Sequence, residues 1–235
     1  MITLFSVAST GGLPERRIDR ASCWQGLGWA IFLVSVPVFV EAPLVRSCPS
    51  LALIMTVGWL GLSRIWRNSH SHRWWGSLWW GFSLCWLCGA VYWGWLRSEP
   101  IWHIPIEGMA LPWAFWALSQ DNYRVGAHFY LGSLTGTIVT DAYFYLNRLM
   151  ETWTDIMQPH VTIDRVNLLL ENAIDQIHTP WGIATGGMLT LVLLILSAVH
   201  IMQFKVANWV LSGALLGTIL VDFLFYASSL AVLPN

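Results

Sequence analysis

Charged side chains are scarce in this chain of 235 residues. Only 11% of the residues are Asp, Glu, Lys or Arg, against roughly 25% in a soluble domain, while 56% are hydrophobic. This composition excludes a water-soluble surface and predicts an integral protein of the lipid bilayer. Lysine is reduced to a single residue, Lys205, and the net charge is -1. The dense basic patch of a nucleic-acid-binding protein is therefore missing, and we expect no nucleic-acid partner.

The first 22 residues are polar, and they lack the apolar run and small-residue cleavage site of a secretory signal peptide. We expect residues 1–22 to form a short cytoplasmic tail and residues 23–235 to form a single transmembrane domain. A helix crosses the bilayer core with about 20 apolar residues. Stretches of this kind predict an all-α bundle of about seven spans: 24–41, 50–66, 74–96, 100–118, 125–147, 181–202 and 206–229.

The basic residues predict the orientation of this bundle. If all seven segments cross the bilayer, most arginines lie on the side of the N-terminus, so the positive-inside rule makes the N-terminus cytoplasmic. The segment 100–118 is the weakest span because it contains His103 and Glu107. The N-terminal side holds Arg16, Arg17, Arg20, Arg64, Arg67, Arg73, Arg124 and Lys205, and the other side holds Arg46, Arg97, Arg148 and Arg165.

The one long connection, 148–180, is expected outside the membrane. Within it, apolar residues recur at intervals of three or four, which predicts an amphipathic helix. Its several acidic residues argue against binding to anionic lipid, so we expect it to pack on its own bundle or on a partner protein. The apolar positions are Ile163, Val166, Leu170, Ile174 and Ile177.

The sequence contains an internal repeat. LTGTIVTDAYFY (134–145) matches LLGTILVDFLFY (215–226) at a constant offset of 81 residues, and a fainter third copy precedes them. The repeat predicts one leading helix followed by three helical hairpins in parallel topology, an arrangement found in some transporters and equally compatible with packing alone. The GxxxG spacing of Gly132 with Gly136, and of Gly213 with Gly217, predicts close helix contacts.

Acidic residues fall at similar depths in several spans. Glu41, Glu107, Asp141 and Asp222, together with His103, all map to the outer third of the predicted bundle. Acids inside a span are costly and point to a functional site with a partner to be found. Arg46 and Arg97 lie on the correct side to serve as that partner.

Two interpretations of these acids remain open. In the first, each acid is neutralised by nearby Arg, Thr or Tyr side chains. In the second, they share a polar pocket in which Glu107 holds or delivers a proton, or binds a cation or a lipid headgroup. The candidate catalytic residues are Glu107, Asp141, Asp222 and His103, and the candidate ligand-binding residues include Glu41, Arg46, Arg97 and two stripes of i, i+4, i+8 spacing, Thr137–Asp141–Tyr145 and Thr218–Asp222–Tyr226.

Tryptophans form a stripe along the third predicted span. Trp75, Trp79, Trp86 and Trp93 fall within ~40° of one another on an ideal helix. They either fill a groove against the next helix or line a slot for a long, flat, apolar molecule such as a carotenoid or a quinone tail.

Other side chains that could bind a haem or a metal ion are indicated more weakly. His128 and His200 lie toward the same end of adjacent segments and could hold a haem between helices. Cys85 and Cys88 are spaced CxxC in an apolar helix without a companion pair, so we interpret them as packing residues and expect no metal site.

Three stretches carry a resemblance to a known family: SVPVFVEAPLVR in the region 34–46, SEPIWHIPIEGMALP (98–112) and YLGSLTGTIVTDAYFY (130–145). They resemble the cyanobacterial polytopic membrane proteins of "domain of unknown function 3120". The resemblance implies a cyanobacterial thylakoid or plasma membrane and brings no assigned activity. Pro105-Ile106-Glu107 is also similar, much more weakly, to the Pro-x-Glu-Glu element of heterodimeric-type lycopene cyclases, with Gly108 in place of the second Glu.

Three functions follow from these observations. The first is an intramembrane acidic pocket that handles a lipophilic molecule of the isoprenoid, carotenoid or quinone type. The second is a non-catalytic assembly or stabilising subunit of a photosynthetic membrane complex, with 148–180 as its contact. The third is a small-solute or ion transporter that uses the paired Asp stripes.

Overall fold

The computed structural model describes residues 20–69, 73–158 and 160–232, and these residues form helices and no strand. The predicted all-α class is confirmed. Most of the predicted cytoplasmic tail, including Arg16 and Arg17, lies outside the described residues, and its last three residues begin the first helix. The helices are α1 (Arg20–Ser47), α2 (Pro49–Arg67), α3 (Arg73–Val91), α4 (His103–Glu107), α5 (Leu111–Leu118), α6 (Arg124–Leu146), α7 (Met150–Ile156), α8 (Ile163–Ile177), α9 (Pro180–Ile201) and α10 (Val206–Val232).

Three of the described helices, α1, α9 and α10, are long and apolar enough to cross a membrane. Helices α2 and α3 have 19 residues each and α6 has 23, which corresponds to lengths of ~28 to ~34 Å. These three match a bilayer core of ~30 Å in length, but their tryptophan, glycine and hydroxyl residues lower the mean hydropathy. The structure therefore has the long apolar helices of a membrane protein.

The outer face of α9 has the composition expected against lipid. Its side chains Ile183, Leu191 and Ile195 are all more than half exposed. A soluble protein rarely exposes so continuous an apolar surface, whereas lipid chains cover it without cost.

The segment 100–118 is not the single continuous helix that the sequence led us to expect. It consists of a 3-10 turn over Pro100–Trp102, helix α4, a second 3-10 turn over Gly108–Ala110, and helix α5. Pro105 and Pro112 cannot donate backbone hydrogen bonds, and Gly108 lies between them, so the α-helical ladder is interrupted twice. The interruption places α4 at one end of the bundle.

Helices α1 and α10 pack side by side in the same direction. Gly213 lies against Leu27, and Gly217 lies against Val34, so residue numbers rise together along both helices. No space remains at Gly213 for a β-carbon, because it would collide with the backbone oxygen of Leu27. The predicted close packing of this glycine pair is thus present.

Helices α6 and α10 form a second parallel pair. Gly132 lies against Leu211, where a β-carbon would come within 2.8 Å of the carbonyl oxygen, and Gly136 lies against Thr218. The glycines at equivalent positions of the repeat therefore make equivalent helix contacts: those of α6 contact α10, and those of α10 contact α1.

The four helices α1, α3, α6 and α10 surround one core. Helix α3 meets α6 where Gly81 faces Gly126, and α1 meets α3 where Glu41 faces Gly89. The buried apolar side chains between them come from all four helices: Ala30, Leu33, Leu78, Phe82, Trp86, Phe129, Val210 and Ala214.

The remaining long helices flank this core. Helix α2 packs on α3, α5 packs on α6, and α9 packs on α10. Each pair consists of neighbours along the chain, as expected for helical hairpins.

The amphipathic helix predicted in the segment 148–180 is present as α8. Thr162 caps its N-terminus by accepting a hydrogen bond from the backbone N–H of Arg165. The buried face differs from the predicted one: Leu169 and Ile174 are buried, whereas Ile163 is 80% exposed. The prediction that the first turn of α8 contributes Ile163 to the buried face is therefore wrong.

Candidate functional site

An imidazole and a carboxylate form the centre of the candidate site. The Nδ1 atom of His103 in α4 lies 2.9 and 3.0 Å from the two carboxylate oxygens of Asp141 in α6. Their side chains are only 16% and 10% exposed. The contact joins the broken segment 100–118 to the α6 repeat, and it gives Asp141 the partner that a buried acid requires.

An irregular turn holds the imidazole of His103 in place. Helix α3 continues into a single π-helical turn over Tyr92–Leu96. The buried ring of Tyr92 stacks on His103 with centroids 4.2 Å apart, and Trp93 meets the same imidazole edge-on. Trp153 packs against Trp93 from helix α7. Such π-turns often occur at functional sites because they redirect side chains out of the regular helical register.

Glu107 lies one turn beyond His103. Its backbone carbonyl accepts a hydrogen bond from the hydroxyl of Tyr130, which fixes the end of α4 against α6. Its carboxyl group is within electrostatic range of both His103 and Asp141. It is therefore part of the same cluster of ionisable groups.

Glu41 completes the cluster from α1. Helix α1 continues past it to Ser47, so Glu41 lies inside the helix and does not end it as the predicted segment 24–41 implied. Its Oε1 atom is buried without a hydrogen-bond partner. The carboxyl group fits against Gly89, where a β-carbon would come within 3.2 Å of Oε1, and it interacts electrostatically with Glu107. We call Glu41, His103, Glu107 and Asp141 the acidic site.

Asp222 does not belong to the acidic site. Its Oδ2 atom accepts a hydrogen bond of 2.9 Å from Thr140, on another face of α6 from Asp141. The structure thus brings three of the four predicted acids together, Glu41, Glu107 and Asp141, and places Asp222 elsewhere. The two Asp stripes do not line one path, because Asp141 contacts α4 while Asp222 contacts α6.

The other members of the two stripes are dispersed. Thr137 donates to the backbone of its own helix, and Tyr145 is 54% exposed. Thr218 is buried against Gly136, and the hydroxyl of Tyr226 lies 2.7 Å from Nε2 of His178, at the end of α8. The second stripe therefore serves helix packing and the attachment of α8, and a ligand-binding role for these residues stays a prediction.

Neither expected arginine partner contacts an acid among the described residues. Arg46 is exposed in the last turn of α1, and Arg97 donates to the backbone oxygen of Trp93. The side chain that balances an acid in this cluster is His103, which sequence reasoning had grouped with the acids. Among the described residues, Arg124 forms an ion pair with Asp121 and Arg165 with Asp155, and His103 hydrogen-bonds to Asp141.

The tryptophan stripe of α3 is largely covered by α2 and α1. Trp79 and Trp86 pack against Trp59 of α2, and Trp86 donates a hydrogen bond to the backbone oxygen of Ala52. Trp75 packs against rings of both neighbouring helices. Trp93 alone of the four contacts the acidic site. The contacts match a filled groove between helices, which was one of the two interpretations of the stripe.

The histidines proposed for a haem lie near each other, and His200 is within electrostatic range of His128. The Nδ1 atom of each ring hydrogen-bonds to a backbone oxygen of its own helix, Arg124 and Leu196 respectively. A haem between them stays a prediction. Within the described residues, no group of three or more His, Cys, Asp or Glu side chains is arranged to hold a metal ion.

Sequence reasoning did not assign Tyr92, Tyr130 or Gly89 to the site. Tyr92 and Gly89 belong to the third, fainter copy of the repeat, and the alignment with Tyr143 was the available signal for Tyr92. Tyr130 gave no such signal, because a tyrosine in an apolar helix is equally typical of the membrane interface.

The chain matches no curated protein and no solved structure. A family model matches residues 30–230, which include every residue of the acidic site and both copies of the Gly-Thr-Asp repeat. The chain therefore belongs to the family described as protein of unknown function (DUF3120).

Proposed function

We propose that this protein handles a lipophilic molecule, of isoprenoid, carotenoid or quinone type, whose polar end binds at the acidic site. In this proposal Glu107 donates a proton or a hydrogen bond to the ligand, and His103 and Asp141 hold the neighbouring charge. The protein spans the membrane seven times, as one leading helix and three repeated hairpins. We place its N-terminus in the cytoplasm.

The observation that carries this proposal is the unpartnered Oε1 atom of Glu41 beside Glu107. The acidic site holds three carboxyl groups and a single imidazole, and only Asp141 contacts that imidazole, so at least one carboxyl group must hold a proton or meet a polar group of a ligand. A buried polar atom without a partner costs about 1–3 kcal/mol. Natural proteins retain such a group at functional sites, and a ligand hydroxyl or carbonyl would supply the missing hydrogen bond.

The irregular segment provides access from the lipid side. Ile101 and Trp102, immediately before α4, are 72% and 51% exposed. A molecule with a long apolar tail could lie along this surface while its polar end reaches Glu107. The weak similarity of Pro105-Ile106-Glu107 to lycopene cyclases supports an isoprenoid ligand in particular.

The test is the identity of lipophilic molecules that remain bound after gentle solubilisation. The full chain is purified in mild detergent, extracted with organic solvent, and analysed by mass spectrometry and absorption spectroscopy. Glu107→Gln is compared with the wild type and with Asp222→Asn, a matched control that removes a carboxylate outside the acidic site. We expect one ligand class enriched over bulk lipid, and about tenfold less of it in Glu107→Gln, as for the loss of one hydrogen bond to the ligand.

The control decides how a loss is interpreted. An equal loss in Glu107→Gln and Asp222→Asn would assign the effect to general destabilisation and contradict a role for Glu107. An unchanged ligand profile in Glu107→Gln would contradict the proposal directly, provided that the variant accumulates in the membrane as the wild type does.

A second candidate function is a subunit that assembles or stabilises a photosynthetic complex, in a thylakoid or plasma membrane. It is favoured by the exposed apolar side chains Ile163 and Leu168 on α8, a helix otherwise rich in charge. We expect Ile163→Glu with Leu168→Glu to abolish co-purification with such a complex. Migration of the wild type only as a free protein would count against this function.

A further inference from the structure

The end of the bundle opposite the acidic site contains an open pocket of about 390 Å³. Three elements contribute to it: the C-terminal end of α2, the first residue of α3, and the loop before α6. We call it the arginine pocket, and it is lined by Arg64, Arg67, Asn68, Arg73, Asn122 and Tyr123.

Close packing of α2 on α3 positions Arg67. Gly76 lies directly against the backbone of Arg67, where a β-carbon would be 2.6 Å from the arginine side chain. Ser63, one turn earlier, donates a 2.7 Å hydrogen bond to the carbonyl oxygen of Gly76. The base of the arginine pocket is therefore a fixed part of the helix packing.

Tyr123 forms a rigid wall of the pocket. The guanidinium of Arg67 lies over its ring, 4.1 Å from the centroid. Trp80 and Trp116 hold the same ring from two other sides. This cation–π contact orients the guanidinium plane and leaves its outer N–H groups available as donors.

The charges of two of these arginines, Arg64 and Arg67, are not compensated by an acidic side chain of the described residues. No carboxylate is among the lining residues, and Arg64 and Arg67 form no ion pair within the described part of the chain. The nearby Asp121 pairs instead with Arg124. The Nε atom of Arg67 is buried and has no hydrogen-bond partner, which is unusual for so strong a donor.

We infer that the arginine pocket binds a phosphate group. Guanidinium groups donate paired hydrogen bonds to phosphate oxygens, and the amides of Asn68 and Asn122 can donate further ones. The phosphate could belong to an anionic lipid headgroup or to a soluble phosphate compound. Trp66 and Trp74 flank this end of the bundle at positions typical of the membrane interface, where headgroups lie. The inference does not depend on the function proposed for the acidic site.

The experiment uses the purified full chain in detergent and two probes. Native mass spectrometry measures retention of phosphatidylglycerol, with phosphatidylcholine as the reference lipid, and thermal unfolding measures binding of inorganic phosphate. Arg64→Gln is the main variant, because Arg64 is exposed and its replacement leaves the helix packing intact. Lys205→Gln is the matched control, because Lys205 is exposed at the same end of the bundle and does not line the pocket, and Asn122→Ala tests the pocket with no change of charge.

We expect Arg64→Gln to weaken binding about tenfold, Asn122→Ala to weaken it less, and Lys205→Gln to leave it unchanged. A preference for phosphatidylglycerol that is lost in Arg64→Gln identifies a lipid headgroup. Phosphate-dependent stabilisation without a lipid preference identifies a soluble compound. Equal weakening in Arg64→Gln and Lys205→Gln, or a wild type that retains neither probe, would overturn the inference.

Discussion

His103 and Asp141 are 38 residues apart in the chain, and both carboxylate oxygens of Asp141 lie within 3.0 Å of the same imidazole nitrogen. Together with the hydrogen bond from Tyr130 to the carbonyl of Glu107, this contact joins the broken segment 100–118 to the parallel core. Since Glu107 follows His103 in the same short helix, the position of the candidate proton donor depends on this link.

Asp141→Asn should destabilise the protein by about 2 kcal/mol, because it removes a charge-assisted hydrogen bond from a site with little solvent. Thermal unfolding of the purified protein in detergent measures the change. Asp222→Asn is the control and should cost less than about 1 kcal/mol. An Asp141→Asn variant as stable as the wild type would contradict the structural role given to this pair.

Gly213→Ala should lower the stability by about 1–3 kcal/mol, because the added methyl group meets the backbone of Leu27, which cannot move aside. Gly187→Ala in α9 is the matched control, since a β-carbon there meets nothing within 4 Å. The control should be neutral or slightly stabilising, as alanine favours a helix over glycine. Similar losses in both variants would argue against the parallel packing of α1 and α10.

Two Trp→Phe variants distinguish the contribution of a hydrogen bond to stability from the contribution of ring packing. Trp86→Phe removes the bond to Ala52, whereas Trp59→Phe removes an indole N–H that is buried without a partner. Both variants lose similar volume. We expect Trp86→Phe to be the less stable by about 1–2 kcal/mol, measured in parallel thermal unfolding experiments. The reverse order would show that the α2–α3 contact differs from the one described.

Glu41→Met should stabilise the protein by about 1 kcal/mol, because it replaces a buried, unpartnered carboxyl oxygen with an apolar side chain of similar size. The same variant should retain less of the lipophilic ligand. A gain of stability with a loss of ligand is the pattern expected of a functional group that the fold alone does not need. Destabilisation would indicate that Glu41 has a structural partner instead.

The exposed thiol of Cys48 tests the orientation in the membrane. It lies between α1 and α2, so a cytoplasmic N-terminus places it on the opposite side. A membrane-impermeant maleimide should therefore label it in vesicles with the outer face exposed and not in inverted vesicles. Cys48→Ala should lose this labelling. Labelling from the cytoplasmic face would reverse the proposed topology.

Much of the acidic site could be predicted from the sequence. Depth along each span was sufficient to group Glu41, His103, Glu107 and Asp141, because ionisable residues in apolar helices are rare. Depth says nothing about which face of a helix meets which neighbour. Asp222 shares the repeat position of Asp141. When Pro100 is matched with Pro180, the residue aligned with His103 in the last hairpin is Ile183, so Asp222 has no equivalent partner.

The fold, like the acidic site, could be predicted from the sequence only in part. The repeat predicted which glycines allow close contact, since that depends on residue size at fixed spacing. The π-turn over Tyr92–Leu96 could not be predicted, because no local composition marks it. The geometry of an ideal helix therefore predicted that Trp93 lies on the same face as Trp86. In the structure, the extra residue of the π-turn directs Trp93 toward His103.

The parallel arrangement of α1, α3, α6 and α10 has an electrostatic consequence. Peptide dipoles cancel in an ordinary antiparallel bundle, but here four point the same way, and only α2 and α9 oppose them as full-length helices. The negative C-terminal ends of α1 and α6 lie on the side of the acidic site, and the positive N-terminal ends of α3 and α6 lie on the side of the arginine pocket. The helix ends therefore add to the difference in charge between these two ends of the bundle.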